Sequence, residues 1–322
     1  MVLTHGLRGI RVVLAAAIAA GLCACGGDGE VTVPVTEQDA LSTPQQVRAH
    51  LDFISSQIPL PGATPAVVPG PFLCESAGSR ETSADTVDSP FTNPPLDVER
   101  VRFHDCMQYN GPPSDPQSSF VRQHGLVESG FAEQKNGTRV SYEGRGESAS
   151  QPFERQVLDR AEDGVHELDH RFFSRTHQRE RLGMFGLLHE VDRRMFVEHQ
   201  LSILEPDGRR IEGRYRVGTP SGPFIAVARN STYEIRGQYQ IEAARCRTGV
   251  IQVETPRRLA YDERTGRITA GSLRFIAGND TATVVFSANG TATLTGATGM
   301  QSVEDFTPGV DPVFSPCFRA DP

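Results

Sequence analysis

His166-Glu167-Leu168-Asp169-His170 spells H-E-x-x-H, a pattern with a defined chemistry. On a helix, two histidines four residues apart stand one turn apart and can share a zinc ion, while the glutamate polarises the attacking water. That arrangement would hydrolyse peptides. Its surroundings point elsewhere. Asp163-Gly164 is a turn signal, and His166, Leu168, His170 and Phe172 alternate as they would along one face of a strand. A third histidine ligand would fall six residues past His170, where Thr176 stands, and His177 is one step late. Glu190 is at a workable distance for a glutamate ligand, but it lies in a segment that reads as a strand. The string also sits in a stretch, residues 166 to 199, that holds His166, His170, His177, His189 and His199, so a chance match is easy.

The sequence therefore assigns no catalytic, metal or cofactor residue. These histidines read as part of a solvated sheet face alternating with Arg and Glu; a metal-binding or pH-sensing cluster of the same residues is the weaker alternative. No G-x-S-x-G elbow, phosphate loop or dinucleotide fingerprint occurs.

The other chemistry is at the start of the chain. Met1 to Arg11 carries Arg8 and Arg11 and no acid, and Val12 to Leu22 is a run of apolar or small residues too short to span a bilayer. Leu22-Cys23-Ala24-Cys25-Gly26 follows, and it resembles the lipobox of bacterial lipoproteins. The resemblance implies a signal peptide over residues 1–24, cleavage before Cys25, and fatty acylation (palmitate or a similar chain) of Cys25. Cys23 leaves with the peptide. Several acyl chains on one residue form a durable anchor where one chain would not. Gly26 in place of an aspartate implies the outer membrane, with the body facing the periplasm or the cell surface.

Loss of Arg8 and Arg11 takes the net charge from -8 to -10. So acidic a chain is a poor partner for nucleic acid. Four cysteines remain, Cys74, Cys106, Cys246 and Cys317, which in an exported chain suggests two disulfides. Of three connectivities we expect the sequential one, Cys74 to Cys106 and Cys246 to Cys317. A four-thiolate metal site would need a C-x-x-C pair, and there is none.

Residues 25–42 read as the lipidated cysteine and a tether. Residues 43–71 read as one short helix, 44–57, capped by Thr43 with Pro44 in its first turn and Val47, Leu51 and Ile54 at helical spacing, then a proline-rich linker. Residues 72–322 read as a β-rich domain. Strand patterns recur at 139–146, 193–204, 209–217, 232–243, 271–278, 282–288 and 291–296. Tight turns are signalled by Asn136-Gly137, Asp207-Gly208 and Asn289-Gly290. Without helices to cross over the sheet, the strands must run antiparallel, as a meander forming a curved sheet, sandwich or open barrel.

Thr255-Pro256 with Leu259, the segment Thr265 to Leu273, the hairpin 277–296, and Phe103-His-Asp-Cys106 resemble a group of uncharacterised β-rich proteobacterial lipoproteins whose early F-x-x-C strand ends at the cysteine. The resemblance implies an all-β envelope module and carries over no catalytic residue. The expectation is an outer-membrane lipoprotein that contacts the membrane through its lipid anchor and binds a protein or other ligand without catalysis. The alternatives are a carrier of lipid or another hydrophobic ligand, held between the sheet and the helix, and a zinc metallopeptidase using His166, Glu167 and His170.

Overall fold

The computed structural model describes residues 41–57, 74, 76–110, 118–134, 136–161, 164–182, 188–204, 208, 210–243, 246–247, 249–262, 265 and 267–303. The signal peptide, Cys25, the tether to residue 40, the linker and Cys317 lie outside the described residues.

Helix α1, Pro44–Gln57, starts where the cap and proline place it. The Thr43 hydroxyl accepts from the Gln46 N–H at 3.3 Å and the Gln46 side chain accepts from the Thr43 N–H at 2.8 Å. This reciprocal capping box satisfies two otherwise orphaned donors. Val47, Leu51, Phe53 and Ile54 have no exposed surface. Arg48 and Asp52, at 2.9 Å, form a half-buried pair one turn apart.

The other regular structure among the described residues is antiparallel sheet. In chain order the strands are β1 (Ala77–Val87), β2 (Leu96–Asn110), β3 (Ser119–Glu133), β4 (Thr138–Arg145), β5 (Phe153–Ala161), β6 (Gly164–Leu182), β7 (Leu188–Leu204) and β8 (Arg210–Val217). Then come β9 (Phe224–Arg229), β10 (Thr232–Ala243), β11 (Cys246–Arg247), β12 (Ile251–Asp262), β13 (Arg267–Ala277), β14 (Asp280–Phe286), β15 (Ala292–Gly296) and β16 (Gly299–Val303). They join in one sheet along the path β1-β2-β3-β4-β6-β7-β8-β10-β12-β13-β14-β15-β16. The short strands fill in beside it: β5 pairs with β3 and β6, β9 with β7 and β10, and β11 with β10. Neighbours in sequence are mostly neighbours in space, so the fold is an all-β antiparallel meander. The turns at Asn136-Gly137 and Asn289-Gly290 join β3 to β4 and β14 to β15, while Asp207 of the third expected turn lies outside the described residues.

The two faces of the sheet differ. Ile235, Tyr239, Ile241 and Ala243 of β10 are buried on one face with Tyr215, Val253, Phe275 and Val284 from other strands. Helix α1 lies on this apolar face: Phe53 packs edge-on against Tyr215 at 5.2 Å and lies tilted against Tyr239 at 5.3 Å between ring centroids. Its approach needs Gly296, because a Cβ there would stand 2.7 Å from the Ser42 carbonyl oxygen. The side chains of α1 pack directly on the apolar face of the sheet. Organic extracts of the purified protein are therefore expected to be free of stoichiometric lipid, and one lipid per chain by mass spectrometry would contradict that packing.

Cys74 and Cys106 are disulfide-bonded, with 4.9 Å between their Cα atoms. Cys106 does not end its strand, as the F-x-x-C pattern suggests. It lies inside β2 beside a bulge between Phe103 and Cys106, where Asp105 takes a φ of 51°. The pairing of Cys246 with Cys317 concerns residues of which one lies outside the described set.

Candidate functional site

The H-E-x-x-H string lies on β6, so its residues alternate between faces instead of stacking along a helix. Four residues of strand span about 13 Å. Two imidazoles on one zinc must each come within about 2.1 Å of it, so His166 and His170 do not share an ion in this geometry. In register, His166 lies opposite Asp159, while His170 lies between Arg155 of β5 and Leu201 of β7. No group of three or more His, Cys, Asp or Glu side chains suited to a metal occurs among the described residues.

The histidine face is not solvated, which corrects the sequence reading for two members. His170 is 9 % exposed and His199 is 3 % exposed, on the face that also carries Phe172 and Tyr215. The Nδ1 of His170 and the Nε2 of His199 are hydrogen-bonded at 2.8 Å. Phe172 stacks on His199 at 4.1 Å and Tyr215 meets it edge-on at 4.9 Å. Burial, with the Arg155 and Arg145 guanidiniums close by, pushes His170 down to about 4. His199 is pushed well below the ordinary imidazole range by burial first and by His170 next. Both are neutral at neutral pH, and one donates to the other.

The opposite face is polar, and a groove runs along it over the row formed by Arg155, His170 and Leu201, which also line it. This groove, of about 390 Å³, crosses β3, β5, β6, β7 and β8. The register makes it a grid: Arg122, Gln156, Asp169, Ser202 and Glu212 form one row, and His124, Glu154, Arg171 and Gln200 the next. Arg210 joins Asp169 at 3.8 Å and Arg171 joins Glu154 at 3.3 Å. Burial and the neighbouring Glu167 raise the Asp169 carboxyl above its usual range. At the rim, the Arg122 guanidinium holds the Asp105 carboxylate low, with His124 Nδ1 at 3.3 Å from it. Donors and acceptors alternate, and the charges almost cancel.

The groove's scaffold includes a buried ionic knot on the same face. Glu128 is 5 % exposed and stands opposite Arg100 and Gly144 in the ladder, with Arg175 in the next strand. It lies 3.0 Å from Arg100 and 3.8 Å from Arg175, and it accepts from the Tyr142 hydroxyl at 2.9 Å. A Cβ at Gly144 would come within 2.5 Å of that hydroxyl oxygen, so a larger residue there would displace the Tyr142 side chain. Tyr142→Phe removes one hydrogen bond to a buried carboxylate and is expected to cost about 1.5 to 3 kcal/mol. Urea unfolding should show a lower midpoint at unchanged slope; an unaltered midpoint would mean that Arg100 and Arg175 satisfy Glu128 without it.

No protein-family model matches this chain, nor does any curated protein or solved structure. Residues such as Arg122, Arg171, Arg210 and Glu212 carry no motif, and strand register alone brings them together.

Proposed function

We propose that this protein is an outer-membrane lipoprotein, anchored through acylated Cys25, whose β body is a non-enzymatic module that binds an envelope saccharide in the polar groove. The observation that carries this reading is the contrast between the two faces. The chain's own helix occupies the apolar one, and the polar one presents an open grid of guanidinium, amide, hydroxyl and carboxylate groups. Such a lining suits a ligand rich in hydroxyls, which both donate and accept, better than an apolar or a strongly charged one. The strand position of the H-E-x-x-H residues supports binding over peptide hydrolysis.

The test is a glycan array built from bacterial envelope polysaccharides, probed with the purified protein and with an Arg171→Gln/Arg210→Gln variant. The reading expects selective binding to one glycan class that the variant loses while keeping its far-UV circular dichroism. Uniformly blank arrays, or binding indifferent to the substitutions, would sink it.

A further inference from the structure

A second groove, of about 200 Å³, lies where β7, β9, β10 and β12 meet, and shares no lining residue with the first. Its floor is set by register. Arg194 of β7 stands opposite Ile225 of β9, and Ile225 opposite Arg236 of β10, so two arginines flank one half-buried aliphatic side chain. Beside this row, Val227 lies between Asp192 and Glu234. Arg229 and Arg258 complete the wall.

Three of the four guanidiniums are held in place. Arg194 lies over the Phe91 ring at 4.9 Å and 3.7 Å from Asp192. Arg229 donates to Glu190 at 3.1 Å through Nε and sits 3.0 Å from it through Nη2. Arg258 is 3.5 Å from Glu234. Arg236 stands opposite Glu254 in the ladder, a carboxylate that is ion-paired with Arg274, and makes no ion pair of its own among the described residues. The lining thus holds four arginines against two carboxylates, in a chain whose net charge is -8. An arginine pinned along one edge keeps N–H donors for a second acceptor, and its fork matches two oxygens of a tetrahedral oxyanion. Pinned guanidiniums also spare much of the side-chain ordering cost of binding.

We propose that this groove binds a phosphate group, carried on a soluble phosphomonoester or on a phosphodiester lipid headgroup. Arg236 supplies the uncommitted charge, Arg194 and Arg258 close around the oxygens, and Ile225 and Val227 form a floor that limits competing water. The site does not depend on the saccharide groove, and the two are separable by mutation.

Isothermal titration of the full purified chain at low ionic strength, with glucose 6-phosphate in one arm and glycerophosphoglycerol in the other, tests it. The expected result is saturable one-site binding in at least one arm, weakening as salt rises. The exposed pair Arg236→Gln/Arg258→Gln should weaken it tenfold or more, whereas Arg171→Gln/Arg210→Gln in the first groove should leave it unchanged. The arm that responds identifies the source of the phosphate. No saturable heat in either arm, or binding that survives Arg236→Gln/Arg258→Gln with circular dichroism unaltered, would overturn the site; loss only in the Arg171→Gln/Arg210→Gln variant would move phosphate to the first groove and overturn it equally.

Discussion

Acidification from pH 7 to pH 4 is expected to strip the protein of roughly 3 kcal/mol of stability through His170 alone, with a further loss through His199. His170 is held at about 4 against an ordinary value of 6.5, and each unit of difference is worth 1.36 kcal/mol. The sign follows from which state takes up protons. Between 6.5 and about 4 the unfolded chain protonates these imidazoles and the folded one does not, so the contribution is complete above 6.5 and is lost as pH falls towards 4. The groups facing the pair are Arg155, Arg145, Phe172 and Tyr215, none of which offers a carboxylate to receive the new charge. Urea midpoints measured at half-unit steps of pH should decline across this window. In the variant His170→Phe/His199→Phe the decline should flatten, which separates these histidines from carboxylates that titrate in the same experiment, such as Asp52 and Asp169, both raised by burial. A wild-type profile flat from pH 7 to pH 4 would show that the pair opens to water.

Cys106→Ser is expected to cost about 4 kcal/mol. The Cys74–Cys106 bond closes a loop with a sequence separation of 32 residues, and the chain-entropy model assigns a loop of that length about this value at 25 °C. The folded state loses packing as well, because Cys106 is 2 % exposed in a cluster with Val101, Phe103 and Phe153. Thermal unfolding under oxidising and reducing conditions provides the measurement. The wild type should fall towards the variant when reduced, and the variant should respond less than the wild type, through Cys246 and Cys317 alone. If reduction leaves the wild type unchanged, the bond does not constrain its unfolded state.

Much of this architecture was legible in the sequence wherever a local signal sufficed. The helix at 44–57 coincides with α1 because cap, proline and apolar spacing all act within a few residues of one another. The pattern at 232–243 coincides with β10, whose strict alternation sorts side chains between a dry and a wet face. Strand β1 gave no such signal. Its AGSRETSADTV has ten exposed positions of eleven, so it is held by its ladder to β2 and not by burial of one face. The fate of His170 was half legible. Its face also carries Leu168 and Phe172 while Glu167, Asp169 and Arg171 take the other, which marks the histidine side as the apolar one. What the sequence could not show is that His199, 29 residues further on, would arrive beside it. The two grooves were invisible for the same reason, since cross-strand neighbours are set by register over long separations and no short spacing encodes them. The ionic knot at Glu128 likewise depends on four strands lying side by side.

The anchor and the binding body make one proposal, and its root is Cys25. Intact mass spectrometry of the N-terminal peptide, from protein extracted from outer-membrane fractions of the native cells, tests it most directly. The proposed reading predicts a chain that begins at Cys25 and carries a diacylglyceryl group on sulfur, with Cys25→Ser protein left uncut and unacylated. A mature chain that begins elsewhere, bears no lipid and is released into the soluble fraction would contradict it.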